Sequence, residues 1–256
     1  MAFCARDTIQ KVKDALGGRP LDYILCTHTH YDHIGALPFF RQEWPQLRAV
    51  TCAAGAAVLL KPTPRRVIRE LSVAAAQMLG AAVDTAYSDD AFRGDVIVQD
   101  GECISLGGLT AEVLETPGHT RDSLSFFMPE IAVLALNETT GVLAPDGSVY
   151  PGYLTSCADA INSIEKCRAV PYKYLSLPHR SIVSDAEADG FFDRALAVTN
   201  ACRDFIKGMQ EQGLSEDAMQ EKFFERYGSD ALLSFQPKDA FMANARATIA
   251  CALREG

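Results

Sequence analysis

Apolar and polar positions along the chain change period several times. Ile9, Val12 and Leu16 recur at helical spacing between Asp7 and Leu16, and Gly17-Gly18 supplies a stop, so a first helix is predicted there. The continuous apolar run from Leu21 to Cys26 reads as a buried strand. Val50 to Cys52 predicts a second short strand, and Pro64 to Leu79 a helix of about four turns. From Asp95 to Pro117 short strands alternate with turns. Val96 to Val98 is followed by Asp100-Gly101, Cys103 to Leu106 by Gly107-Gly108, and then comes Leu109 to Leu114. Leu124 to Met128 and Ile131 to Leu136 flank a Pro129-Glu130 turn, and Tyr174 to Leu177 is the last strand the pattern supports.

Beyond Ser184 the period becomes helical. Phe191, Ala195, Val198, Cys202, Phe205 and Met209 form a stripe at steps of three and four. Ser215 is placed to cap the next helix, with Glu216 and Asp217 in its first turn and Leu214 and Met219 as a staple. Pro237 is suited to open a last helix running towards Leu253. No repeat, low-complexity tract or linker interrupts the 256 residues. The expected organisation is a mixed α/β body over 1–185 and a helical extension over 186–256, packed on it.

A net charge of −9 opposes binding to a phosphate backbone, which leaves a small molecule as the expected substrate and makes nucleic acid an improbable one. The eight cysteines are dispersed without a Cys-x-x-Cys pair. No secretory n-region and h-region precede them, and no apolar run reaches membrane-spanning length. Reduced, mostly buried thiols in a cytoplasmic protein without a membrane anchor are therefore expected. Cys26, two residues before His28, is read as a core residue of the strand. The oligomeric state is left open, a homodimer included.

The candidate chemistry is concentrated in Thr27-His28-Thr29-His30-Tyr31-Asp32-His33-Ile34-Gly35. Three of the five histidines and one aspartate fall within six residues, directly after a predicted strand. On extended backbone His28 and His30 share a face, while Asp32 and His33 follow where the chain turns into a helix. Such an array suits two metal ions held a few ångströms apart. The other histidines, His119 in Thr116-Pro117-Gly118-His119-Thr120 and His179 in Leu177-Pro178-His179-Arg180, also follow strand ends.

These motifs resemble those of the metallo-β-lactamase superfamily. Thr27 to Gly35 matches its His-x-His-x-Asp-His signature, Thr116 to Thr120 is similar to its next ligand motif, and His179 to its last. The resemblance implies an α/β fold, an αββα sandwich of two packed mixed β-sheets flanked by helices. It also implies a dinuclear centre of two divalent metal ions, zinc first because imidazole dominates, with iron or manganese as alternatives. His28, His30 and His119 would hold one ion, and Asp32, His33 and His179 the other. The family's bridging carboxylate is usually an aspartate. Here eighteen residues separate His119 from Glu138, which takes that place, with uncharged Asn137 the weaker candidate. Only 27 residues precede His28, reading as one helix and one strand, so the first sheet is expected to be short.

The implied chemistry is metal-dependent hydrolysis of an ester, thioester, lactone or phosphodiester by a hydroxide bridging the metals, with Asp32 also orienting the nucleophile. Tyr150, Tyr153 and Arg180, near Glu138 or His179 in sequence, are candidates to touch substrate. Of the tail aromatics Phe191, Phe192, Phe205, Phe223, Phe224 and Phe241, most are expected in the core. Two alternatives stand beside hydrolysis: a diiron redox enzyme on the same scaffold, and a non-catalytic metal-binding regulatory protein.

Overall fold

The computed structural model describes residues 1–256 apart from 181, 185, 187, 189, 235 and 256. The chain divides into two compact units, Met1–Gln99 and Asp100–Gly256. The boundary expected at 185 lies outside the described residues, and the division at 99/100 has no counterpart in the sequence reading.

In the first unit a 3-10 turn (Ala2–Cys4) leads into helix α1 (Ala5–Leu16), which ends where Gly17 takes a left-handed φ of 59°. Strand β1 (Tyr23–Leu25), helices α2 (Tyr31–Ile34) and α3 (Leu37–Glu43), strand β2 (Arg48–Cys52), helices α4 (Ala53–Leu59) and α5 (Pro62–Met78), and strand β3 (Val96–Val98) follow. The three strands form a wholly parallel sheet in the order β1-β2-β3, each linked to the next through helices. Its core gathers Cys26, Ile34, Leu37, Phe40, Trp44, Leu47, Leu59, Ile68 and Phe92.

One buried cation ties this unit together. The Arg41 guanidinium donates to the carbonyls of Ala91 (3.0 Å), Leu47 (3.0 Å) and Arg93 (2.9 Å) and to the Asp95 carboxylate (2.5 Å). Asp95 also accepts from the Ala49 amide at 2.8 Å. Burial would raise the Asp95 pKa, but the Ala49 amide and the Arg41 guanidinium outweigh it and hold the carboxyl below its ordinary value. Loops are thus fixed to β2 and β3 by charge-assisted bonds.

The second unit contains β4 (Cys103–Ser105), β5 (Thr110–Glu115), β6 (Leu124–Met128), β7 (Val133–Ala135), β8 (Val142–Leu143), β9 (Val149–Tyr150), helix α6 (Cys157–Arg168), β10 (Tyr174–Ser176), β11 (Ile182–Ser184), and helices α7 (Phe191–Glu211), α8 (Glu216–Tyr227), α9 (Asp230–Leu233) and α10 (Lys238–Arg254). A six-stranded mixed sheet runs β11-β10-β7-β6-β5-β4, with β10 parallel to β7 and the other pairs antiparallel. The Asp100-Gly101 turn therefore does not fold β3 back on β4, whose partner is β5.

Beyond Tyr174–Ser176, a further strand, β11, is present, so the last strand lies later than the pattern indicated. Ser215 caps α8 by accepting from the Ala218 amide at 3.3 Å, and Leu214 packs with Met219 in one cluster. Pro237 is the residue before α10 and not its first turn. The tail does not form a unit of its own. Its Cys202, Ile206, Phe223, Phe241 and Ile249 share one core with Tyr153, Cys157 and Ala160 from the body. Phe191 and Phe192 join a second core with Leu134, Ile164 and Leu175. None of the eight cysteines is joined in a disulfide; Cys103 is exposed and Cys4 half-buried. Among the described residues no helix is long and apolar enough to cross a membrane.

Candidate functional site

Four of the proposed ligands belong to the first unit. Cys26 still bonds to the sheet through Val50 (3.0 Å), after which the chain leaves the carboxyl end of β1 as an extended loop. Open parallel sheets present their functional loops at that end. His30 is extended (φ −67°, ψ 150°), and its carbonyl accepts from the amides of His33 and Ile34, both at 3.1 Å, starting α2. The loop thus brings its imidazoles into ring contact, one pair edge-on and the other tilted. The ring of His28 lies 4.6 Å from that of His30 and 4.2 Å from that of His33. Ligand atoms of His28 and His30 lie within 4.8 Å of each other, and His33 Nε2 lies 3.4 Å from Asp32 Oδ2.

Gly35 is required for this turn. A β-carbon there would sit 2.3 Å from the Tyr31 carbonyl oxygen and 2.8 Å from Ser72 Oγ on α5. Burial, and then the neighbouring Asp32 carboxylate, raises the Tyr31 pKa and keeps its hydroxyl protonated.

Three ligands belong to the second unit. The strand-end segment before His119 is anchored by Asp100, whose carboxylate accepts from the Glu115 amide and from Lys166 Nζ, both at 2.8 Å. Gly118 adopts φ 141°, and a β-carbon there would meet Ala160 and Thr139 at 2.7 Å. The His119 amide donates to Thr139 Oγ1 (3.0 Å), and His119 Nδ1 donates to the Gly152 carbonyl at 2.7 Å. That bond selects the tautomer with the Nε2 lone pair available as a ligand, the arrangement in which metal-binding histidines are held.

Glu138, buried, opens a 3-10 turn capped by Asn137. His179 holds a left-handed φ of 58°, rare outside glycine, and its Nε2 lies 2.9 Å from Glu138 Oε1.

Asn137 is committed elsewhere. Its amide nitrogen donates to Thr116 Oγ1 (2.7 Å), the Leu124 carbonyl (3.0 Å) and Ser125 Oγ (3.2 Å), while its oxygen accepts from the Thr139 amide (2.8 Å). It is a buried clamp between two strands and the Glu138 turn.

The tyrosines suggested as substrate contacts need correction. Tyr153 is 0% exposed, with its hydroxyl donating to Cys202 Sγ at 3.5 Å inside the helical core. The Tyr150 hydroxyl bonds to Ser229 in the tail. Sequence proximity to Glu138 put both near the site, but their side chains point into packing. Arg180 is exposed beside His179. Sequence reasoning missed Gly152 and Thr139, the groups that orient His119. The Pro151-Gly152 dipeptide announces a turn, yet nothing in it reveals where its carbonyl points.

Imidazoles and carboxylates on strand-end loops of a mixed α/β chain are the donor types of a metal-binding class of protein. A family model described as the metallo-beta-lactamase superfamily matches residues 3–179. The chain belongs to the metallo-beta-lactamase superfamily. It is similar to the probable metallo-hydrolase YqgX of Bacillus subtilis (strain 168), 32% identical over 107 residues, 42% of this chain and 44% of that protein. It is equally similar, 32% over 122 residues, to a hydroxyacylglutathione hydrolase of Rhodopseudomonas palustris (strain BisB18), covering 48% of this chain and 35% of that one. The matched stretches thus span less than half the length of these curated relatives. In fold it is similar to a beta-lactamase domain protein from Burkholderia ambifaria, with a TM-score of 0.63, 15% identity, and coverage of 98% of this chain and 72% of that one.

Proposed function

We propose that this protein is a dinuclear metal-dependent hydrolase of a small-molecule thioester. His28, His30 and His119 hold one divalent ion, Asp32, His33 and His179 hold the second, and Glu138 supplies the bridging carboxylate. The observation that carries this reading is the 2.7 Å bond from His119 Nδ1 to the Gly152 carbonyl, which orients a buried imidazole as a ligand orients. The imidazoles in ring contact after β1 and the Glu138–His179 contact support it.

The donor set is borderline in softness, and its excess of imidazole favours zinc over iron or manganese. Bound there, the ions would lower the pKa of a shared water and polarise the attacked carbonyl. Asp32, one of the residues that would hold the second ion, would also orient the nucleophile. Buried Glu138 keeps the centre's net charge down. Arg180, exposed next to His179, would meet an anionic substrate group.

The thioester class is favoured over ester, lactone and phosphodiester by relatives named hydroxyacylglutathione hydrolase, whose substrate joins an acyl group to a thiol. The net charge of −9 further disfavours nucleic acid.

The test combines elemental analysis with a substrate panel. Zinc-loaded protein should hold two ions per chain and cleave acyl thioesters, while His30→Ala should lose an ion and the activity together. Equal inertness of both proteins on thioester, ester, lactone and phosphodiester would favour a regulatory metal-binding role. A coloured sample with iron in both positions would favour redox chemistry.

A further inference from the structure

We propose that Thr248, on the last helix α10, is a positioning residue for His119, to which it is coupled through two peptide groups. This role rests on the reading of His119 as a metal ligand. The buried face of α10 consists of Phe241, Ala245, Thr248, Ile249, Cys251 and Ala252. A hydroxyl in that apolar stripe, on a residue only 3% exposed, needs a partner inside the protein. Two lie within reach, the Asn244 carbonyl one turn back at 3.0 Å and the Tyr153 carbonyl at 3.1 Å. The first already belongs to the helix's own ladder, so the second is the bond that reaches beyond α10.

Tyr153 and Leu154 share one peptide group, and a planar trans peptide points its C=O and its N–H in opposite directions. On the far side from Thr248, the Leu154 amide donates to the Gly118 carbonyl at 3.0 Å. That carbonyl also accepts from the Thr155 amide (2.9 Å) and the Thr155 hydroxyl (3.0 Å). Gly118 and His119 share the next peptide group, whose N–H donates to Thr139 Oγ1 at 3.0 Å. A path of hydrogen bonds and planar groups therefore runs from Thr248 through Tyr153-Leu154 to Gly118-His119. Gly152, whose carbonyl accepts from the His119 ring at 2.7 Å, directly precedes Tyr153. The stretch 152–155 thus holds His119 by its ring and by its backbone, and Thr248 fixes that stretch from behind.

Glu255, just past the end of α10, secures the same stretch further along. Its carboxylate accepts from the Cys157 amide at 3.0 Å and the Ala158 amide at 3.3 Å, where α6 begins. Two substitutions at Thr248 separate positioning from packing. Valine keeps the shape of threonine and removes the hydroxyl, while serine keeps the hydroxyl and removes a methyl group. Were Thr248 to serve packing alone, Thr248→Val would be the milder change; a positioning residue reverses the order.

Competitive zinc titration of the full chain, and proton NMR of its metal-free form, test this. Thr248→Val should lower zinc affinity about 10-fold, the lower end of what losing a ligand's support costs, while Thr248→Ser stays near wild type. In the metal-free protein the His119 Nδ1 proton, held by the Gly152 carbonyl, should give a resonance in wild type and in Thr248→Ser. Exchange with water should remove it in Thr248→Val. A Thr248→Val protein that keeps the resonance, or keeps wild-type zinc affinity, would overturn the proposal. So would a Thr248→Ser protein as impaired as Thr248→Val. A wild type that binds no zinc would refute the ligand reading, and the ring-proton comparison would still decide whether Thr248 orients His119.

Discussion

Gly152→Ala probes the least forgiving contact around the candidate centre. An added β-carbon would lie 1.6 Å from the Glu138 carbonyl oxygen and 2.7 Å from its carbonyl carbon. Both atoms are backbone, so no side chain can rotate away. The two segments must part by about 1.4 Å before carbon and oxygen cease to overlap, a strain of the order seen on overpacking a core, about 1–3 kcal/mol. The loss of unfolded-chain entropy that accompanies Gly→Ala offsets only about 0.4–1 kcal/mol of this. The net effect is a destabilisation of up to about 2.6 kcal/mol, a drop in Tm of up to roughly 10 °C for a chain this size.

The same displacement acts on the site. Gly152 also accepts the His119 Nδ1 bond at 2.7 Å, and Glu138 is the proposed bridging group. Loosening such a supporting contact lowers metal affinity about 10- to 100-fold. Thermal unfolding of the metal-free protein isolates the packing effect, and competitive zinc titration isolates the ligand effect. Wild-type Tm and zinc affinity in Gly152→Ala would refute the claim that these loops are rigidly interlocked.

Other consequences follow from the same geometry. Arg41→Met removes four bonds and leaves the Asp95 carboxylate without its main cation, a loss of about 3 kcal/mol in denaturant unfolding; a loss below about 1 kcal/mol would show the network to be dispensable. Because the folded Asp95 pKa is depressed, its contribution is complete above the unfolded carboxyl value, near about 3.9, and fades as pH falls through the folded value; the gap between wild type and variant should therefore narrow in acid. Thiol titration of the native protein should label Cys103 first and Cys4 more slowly. The six buried cysteines should wait for unfolding, since burial pushes Cys157 and Cys251 up to about 11 and Cys167 and Cys202 up to about 12; rapid reaction of more than two thiols would contradict this. Removing metal with a chelator should abolish hydrolysis and lower Tm, as expected when a ligand binds only the folded state, and zinc should restore both in the wild type but not in His119→Ala. A chelator-insensitive activity would count against the metal-dependent reading.

Features carried by short stretches of chain were legible before folding was considered. His28, His30, Asp32 and His33 lie on six consecutive positions after an apolar run, so local geometry alone brings them together. The helices α1, α5, α7 and α8 likewise announce themselves through period and caps, because those signals act within a few residues. Helix α6 escaped notice although Ser156 caps it through the Asp159 amide at 3.0 Å. Its buried stripe of Cys157, Ala160, Ile164 and Cys167 is built mostly from small side chains that give weak periodic contrast.

What the sequence by itself determined, then, is the family, those strands and longer helices whose apolar period is clear, and the identity of the strand-end histidines, all of which rest on local pattern. Tertiary structure alone decided that Tyr150 and Tyr153 serve packing, that Asn137 is a clamp, that Gly152 aims His119, and that the tail shares a core with the body. Each of those depends on partners tens of residues away, and one-dimensional spacing carries no information about which distant backbone atom will stand opposite a given side chain.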